Sequence, residues 1–141
     1  MFQKELILKS QKRGFHLVHH EIISQLDNLK SIRAGMLNLF IQHTSASLAI
    51  NENADPTVRT DLEAFFNKSV PENAPYFKHI LEGSDDMPAH IKAIQIGASI
   101  NIPITNGELN LGIWQGIYLC EHRNYGGERK VVVTAWGELK V

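Results

Sequence analysis

The chain has 141 residues, 43% of them hydrophobic, which is enough for one sizeable core and short for two, so a single domain over residues 1–141 is expected. Fourteen basic residues against fifteen acidic leave a formal charge of -1, which excludes the broad basic field that draws a protein onto nucleic acid or an acidic membrane surface. No apolar run approaches the roughly 20 residues that cross a bilayer. A single cysteine, Cys120, and an N-terminal stretch without a signal-peptide core point to a cytoplasmic protein without disulfides.

In chain order, Phe2 to Leu8 alternates loosely, Arg13-Gly14 interrupts it, and Phe15, Leu17 and Val18 resume it, which predicts two short strands. Ile22, Ile23, Leu26 and Leu29 recur at helical spacing and predict one short amphipathic helix. The apolar run Met36 to Gln42 has strand length and ends at His43-Thr44-Ser45, so a buried strand delivering a functional loop is expected. Asp55-Pro56 is a helix start, because Asp55 can accept from an orphan amide while Pro56 occupies the first turn without losing a bond.

After a loop at Pro71 to Pro75, Asp85-Asp86-Met87-Pro88 repeats that logic and opens a helix to Gly97, with His90 near its first turn. Of the two acids, Asp86 is expected to cap and Asp85 to be free for a cation or an imidazole. Ser99 to Ile104, Glu108 to Gly112, Trp114 to Arg123 and Lys130 to Lys140 read as four strands forming an antiparallel meander, with turns at Asn106-Gly107 and Gly126-Gly127. Strands dominate and two or three helices are inserted without regular alternation, which favours an α+β domain with a mostly antiparallel sheet over a doubly wound parallel one.

The residues able to carry chemistry gather at element ends. His79 and His90 are eleven residues apart across Glu82-Gly83-Ser84-Asp85-Asp86, so a folded-back loop can bring both imidazoles to one point. The alternative is that His79 packs beneath the loop and His90 only ends a helix. Strand parity sends His122 with Cys120 to one face and Arg123 with Glu121 to the other, so His122 and Arg123 share a pocket only if the strand bulges. Gln42 to Ser47 offers hydroxyls and amides that suit phosphate oxygens, or a turn that satisfies only itself. His16, His19 and His20 lack a companion carboxylate and read as ordinary surface or half-buried histidines, and Cys120 as a small buried hydrophobe. Phosphate-loop, dinucleotide and GxSxG signatures are absent.

Four motifs stand in one order: His43-Thr44-Ser45-Ala46-Ser47; Asn51-Glu52-Asn53-Ala54-Asp55-Pro56; His79 with Glu82-Gly83 and Asp85 to Lys92; and Gly112 to Leu119 with Glu121-His122-Arg123. Together they resemble the YjbQ-like family, whose members carry the name secondary thiamine-phosphate synthase. The resemblance implies a homotrimer of single α+β domains, each pocket holding a divalent metal and a small phosphorylated substrate. It implies His79, His90 and His122 as metal ligands, Asp86, Arg123 and His43 as catalytic groups, and Thr44, Ser45, Ser47, Asn51 and Glu52 as substrate-binding residues. Histidine ligands suit zinc or another borderline transition metal, with magnesium the alternative that diphosphate departure usually employs. The implied activity joins a pyrimidine diphosphate to a thiazole phosphate as a weak or secondary reaction. The same residues also permit a metal-dependent hydrolase or lyase of another small phosphate compound, or a non-enzymatic trimeric module that holds a metal or metabolite.

Overall fold

A computed structural model describes residues 1–141, and its architecture follows from two strand sets with opposite needs for burial. The first comprises β1 (Phe2–Leu8), β3 (Ile32–Ile41), β5 (Ser99–Thr105), β6 (Glu108–Leu109) and β8 (Arg129–Leu139), in the order β1-β8-β3-β5-β6. Alternate residues on one face of this sheet are buried, among them Leu6, Leu37, Leu39, Ile102, Val131 and Val133. The second sheet, β2 (Gly14–Leu17), β7 (Gln115–Glu121) and β4 (Ala46–Glu52) in the order β2-β7-β4, lays Leu48, Ile117 and Leu119 against that face. All pairings in both sheets are antiparallel. The main core lies between them.

The other face of the small sheet is covered by helices. Tyr118 and Cys120, on the reverse of β7 from Ile117 and Leu119, join Phe15 and pack against Leu62 and Phe66 of α2 (Pro56–Ser69) and Ile96 of α3 (Asp86–Ile96). Six of the seven residues of β7 are buried, so the strand is apolar on both faces rather than alternating. Cys120 is fully buried there, and desolvation pushes its thiol up to about 12, which makes it an inert core residue as expected. No helix is long and apolar enough to cross a membrane.

Several expectations hold and several are corrected. Asp55 caps α2, its carboxylate accepting from the Thr57 amide at 2.9 Å with Pro56 in the first turn. The single helix expected over Ile22 to Leu29 is instead α1 (His19–Ile23) and a 3₁₀ turn, Asp27–Ser31. The Ser24 and Gln25 side chains donate to the Glu21 carbonyl and stop α1, and Leu26 turns inward at φ -121. Strand β4 was not anticipated, because Ser47 and Asn51 interrupt its apolar run; its inward positions nevertheless pair with all of β7. The C-terminal meander is also corrected. Only β5 and β6 form a hairpin; β7 leaves for the small sheet and β8 returns to lie between β1 and β3, because β7 needs cover on both faces and β8 on one.

In the pairing of β3 with β8, Gly35 faces Gly137. A Cβ on Gly35 would run into the Trp136 carbonyl, a backbone atom that cannot swing aside. Gly35→Ala is therefore expected to destabilise the fold by at least about 2 kcal/mol, read as a lower urea midpoint at unchanged slope; an unchanged midpoint would mean that the sheet yields freely there.

Candidate functional site

The site forms where three chain segments meet at one end of β7. Helix α3 begins at Asp86, whose side chain is 2% exposed and accepts from both sides. One carboxylate oxygen, Oδ2, lies 2.6 Å from His79 Nε2 and 3.0 Å from His90 Nε2; the other, Oδ1, accepts from the Arg123 guanidinium at 2.6 Å. Asp86 and His90 are four apart on one helix, which puts them on the same face. His79 comes from the segment before α3, and Arg123 lies two residues beyond the end of β7. The three donor atoms of His79, Asp86 and His90 lie within 4.8 Å of one another.

Arg123 braces the acidic pair. Its Nε donates to Asp85 Oδ2 at 2.9 Å and a terminal nitrogen donates to the Glu82 carbonyl at 2.8 Å. Asp85 stands at the N-cap position but makes no capping bond with its side chain; its carboxylate accepts from Arg123 and from the Asn124 amide. The expectation that Asp86 caps and Asp85 stays free is thus reversed in its outcome, since Asp86 meets the imidazoles. Burial pushes the Asp86 carboxyl up, but the His79 hydrogen bond and the charges of His90 and Arg123 outweigh it and hold it below the usual carboxylate value. Asp85 is likewise lowered, with burial opposed by the Asn124 amide and Arg123.

His90 Nδ1 lies 3.0 Å from the Thr44 carbonyl, so its N–H donates there. A neutral imidazole has only one proton, and Nε2 then faces the Asp86 oxygen lone pair to lone pair unless a proton or a cation lies between them. Donation of the second ring nitrogen to a backbone carbonyl is also the usual support of a metal-ligating histidine. Two imidazoles and one carboxylate fit a borderline divalent ion such as zinc better than magnesium, which takes oxygen ligands.

His122 stands apart from this cluster. It is 1% exposed, stacks edge-on against Phe15, and its Nε2 lies 2.8 Å from the Ser47 hydroxyl. Beyond the last residue of β7, His122 turns into the interior and Arg123 to the acidic pair, so the parity conflict resolves with the two in different environments. Burial lowers the His122 imidazole to about 3, with Lys92 and Arg129 adding to the effect. The third donor beside His79 and His90 is therefore Asp86, the residue expected to do acid–base work.

The hydroxyl loop is brought to the site only in part. Thr44 is exposed and lines a cleft of about 660 Å³ with His43, Ala46, His90, Ala93 and Ile94. Ser45 is turned inward, its hydroxyl accepting from Arg129 at 3.1 Å, and Ser47 is wholly buried on His122. Asn51 and Glu52 sit at the far end of β4, about 20 Å along the strand from Ala46. There Glu52 accepts from the Ala54 and Asp55 amides and shapes the entry to α2. The resemblance implies them as substrate-binding residues, but β4 carries them away from the cleft. His16, His19 and His20 are not joined to the site; His16 donates to the Lys12 carbonyl at 2.6 Å.

Two residues that sequence reasoning missed hold the loop in place. Glu121 and Arg129 form a buried pair, with Arg129 Nε donating to Glu121 Oε1 at 2.7 Å. Glu121 also accepts from the Arg123 amide at 3.1 Å, and Arg129 reaches the Ser45 carbonyl at 3.3 Å. Gly126 lies against the pair, with no room for a side chain. The partners are eight positions apart across a turn, so no local periodicity marks them.

A two-sheet antiparallel domain with helices over one face, carrying a His–Asp–His cluster at a helix start, defines the class of this molecule. The chain belongs to the YjbQ family: residues 4–138 match the family model described as UPF0047 protein YjbQ-like. It is 50% identical over 137 residues to UPF0047 protein YjbQ of Escherichia coli O157:H7, covering 97% of this chain and 99% of that one. It is 37% identical to UPF0047 protein YugU of Bacillus subtilis, over 84% of this chain and 87% of that one. Among solved structures, the hypothetical protein APE1520 from Aeropyrum pernix K1 superposes with a TM-score of 0.85 at 27% identity, covering 98% of this chain and all of that one (100%). A YjbQ/UPF0047 family protein from Clostridium acetobutylicum gives 0.82 at 37% identity, covering 94% and 99%.

His122 makes stability depend on acidity. Its folded value of about 3 lies below the ordinary 6.5, so its contribution is complete above pH 6.5 and is lost as the pH falls toward 3. In that window the unfolded chain binds a proton that the folded chain refuses, and stability falls by up to about 1.4 kcal/mol per pH unit from this group alone. Burial lowers His19 and His43 as well, so the diagnostic is a difference. Urea denaturation of metal-free protein is expected to show a shallower acid slope in His122→Gln than in wild type; equal slopes would mean that the ring is hydrated.

Proposed function

We propose that this chain is a metal-assisted enzyme acting on small phosphorylated metabolites, with a thiamine phosphate synthase-like condensation as its weak or secondary activity. The observation that carries the reading is the geometry of His90, whose Nδ1–H is committed to the Thr44 carbonyl while Nε2 converges with His79 Nε2 on one Asp86 oxygen. His79, Asp86 and His90 would hold the metal. When bound, it would supply Lewis-acid stabilisation of phosphate charge.

In the condensation, the thiazole ring nitrogen bonds to the pyrimidine methylene carbon as its carbon–oxygen bond breaks and diphosphate leaves. Arg123 keeps a positive charge beside the cluster and, through Asp85 and Asp86, fixes the carboxylate that orients both imidazoles. The cleft bounded by Ala46, Ala93 and Ile94 would receive the organic part. A second reading, hydrolysis of a phosphate ester, is favoured by the donor set itself, because two imidazoles and one carboxylate leave a position for water. The exposed side chains Ile80, Leu81, Ile94 and Tyr125 support assembly as a homotrimer with small molecules as partners.

Elemental analysis of untagged protein is expected to find near-stoichiometric transition metal in wild type and little in His79→Ala, His90→Ala or Asp86→Asn. With both phosphorylated precursors, Asp86→Asn and Arg123→Ala should lower product formation by at least about tenfold. A chelator should abolish turnover and added zinc restore it. Phosphate release without condensation product would shift the assignment to the hydrolase, and metal-independent turnover would sink both.

A further inference from the structure

His43 is held in a way that an acid–base role leaves unexplained. It lies just past β3, where its ring replaces the next rung of the β3–β8 ladder. The Gln42 amide donates to the Lys130 carbonyl at 3.0 Å, and the Lys130 amide donates to His43 Nε2 at 2.8 Å. A backbone N–H only donates, so Nε2 must present its lone pair, and the single proton of the neutral ring sits on Nδ1. That nitrogen makes no hydrogen bond within the chain. A proton on Nε2 would set two N–H groups against each other.

The surroundings act in the same direction. Burial lowers the ring's affinity for a second proton, Arg129 and Lys130 lower it further, and Glu121 opposes them only in part. Glu121 is itself engaged by Arg129. The half-buried ring lines the cleft beside His90, and the other walls, Ala46, Ala93, Ile94 and Ala98, carry no cation to neutralise a phosphate.

We propose that His43 is a tautomer-locked, uncharged hydrogen-bond donor that recognises an uncharged acceptor, such as a carbonyl oxygen, on the organic half of the substrate, and that it does not transfer protons. The assignment rests on the cleft being the substrate pocket of the site proposed above. It makes His43 a selectivity element: substrates with an acceptor at that position are favoured, and analogues with a donor there are rejected, because the ring cannot reverse its polarity without losing the Lys130 bond.

Long-range proton–nitrogen spectra of the full-length labelled protein test the lock without reference to activity. Between about pH 7 and 8, above the midpoint of a free imidazole, His43 should show a protonated Nδ1 and an unprotonated Nε2 throughout. An Nε2–H tautomer, or conversion to imidazolium in that range, overturns the proposal. Turnover of the two phosphorylated precursors then separates donor from base. The side-chain amide of His43→Asn lies near the place of Nδ1 and keeps a donor, whereas that of His43→Gln lies near Nε2 and keeps only the Lys130 contact. His43→Asn should stay within about tenfold of wild type, and His43→Gln should fall as far as His43→Ala, mainly through KM. An equal loss of kcat in all three variants would establish proton transfer and refute the donor role. Wild type without turnover would remove the proposed activity, while the spectra still decide the tautomer.

Discussion

The carboxylate of Asp86 is the constraint on which the site depends. A buried, ionised carboxylate is tolerated only when its lone pairs are met, and here one oxygen is met by Arg123 while the other lies 2.6 Å from His79 and faces His90 across a gap that a proton or a cation would fill. Those partners come from a connecting segment, a helix and the residues following a strand, so satisfying one group fixes the mutual position of three parts of the chain. Its place in the first turn of α3 adds the favourable field of the helix start. Removing the carboxylate would leave Arg123 with Asp85 and the Glu82 carbonyl, and the two histidines without the group they share.

A second layer of polar contacts supports the first. Residues 43–45 are tied at each step: the His43 ring takes the Lys130 amide, the Thr44 carbonyl takes His90, and the Ser45 carbonyl takes the His122 amide. The buried Glu121–Arg129 pair joins this loop to the segment that carries Arg123. The loop is therefore a rigid wall rather than a flexible clasp, and its two serines act inward as supports while Thr44 and His43 face the cleft.

What was legible in the sequence was local. Asp55-Pro56 marked α2 through capping chemistry that operates within one turn, and Asp85 to Pro88 marked the start of α3 although neither acid caps it. The convergence of His79, Asp86 and His90 was also within reach, since the helix start puts Asp86 and His90 on one face and the preceding loop is short. The hidden features depended on contacts distant in sequence. Strand β4 escaped because Ser47, polar in type, is buried by bonding to His122, a partner 75 residues away. The resemblance likewise put Asn51 and Glu52 at the pocket and grouped His122 with ligands from which its burial separates it. Membership of the YjbQ family, inferred from four ordered motifs, was the long-range information that local patterns lacked.

The pairing of β1 with β8 has a consequence for how the molecule comes to be. Phe2 aligns with Ala135 and Leu8 with Arg129, so the large sheet closes only when the two ends of the described chain meet. The residues that anchor the hydroxyl loop, Arg129 and Lys130, lie at the start of that same last strand. During synthesis, helix α3 and its histidines would emerge well before the strand that rigidifies their neighbours, and loop closure over such a separation is slow. The pocket is thus completed late in folding, and a nascent or partly unfolded chain would carry its histidines and acids without the walls that select what they bind.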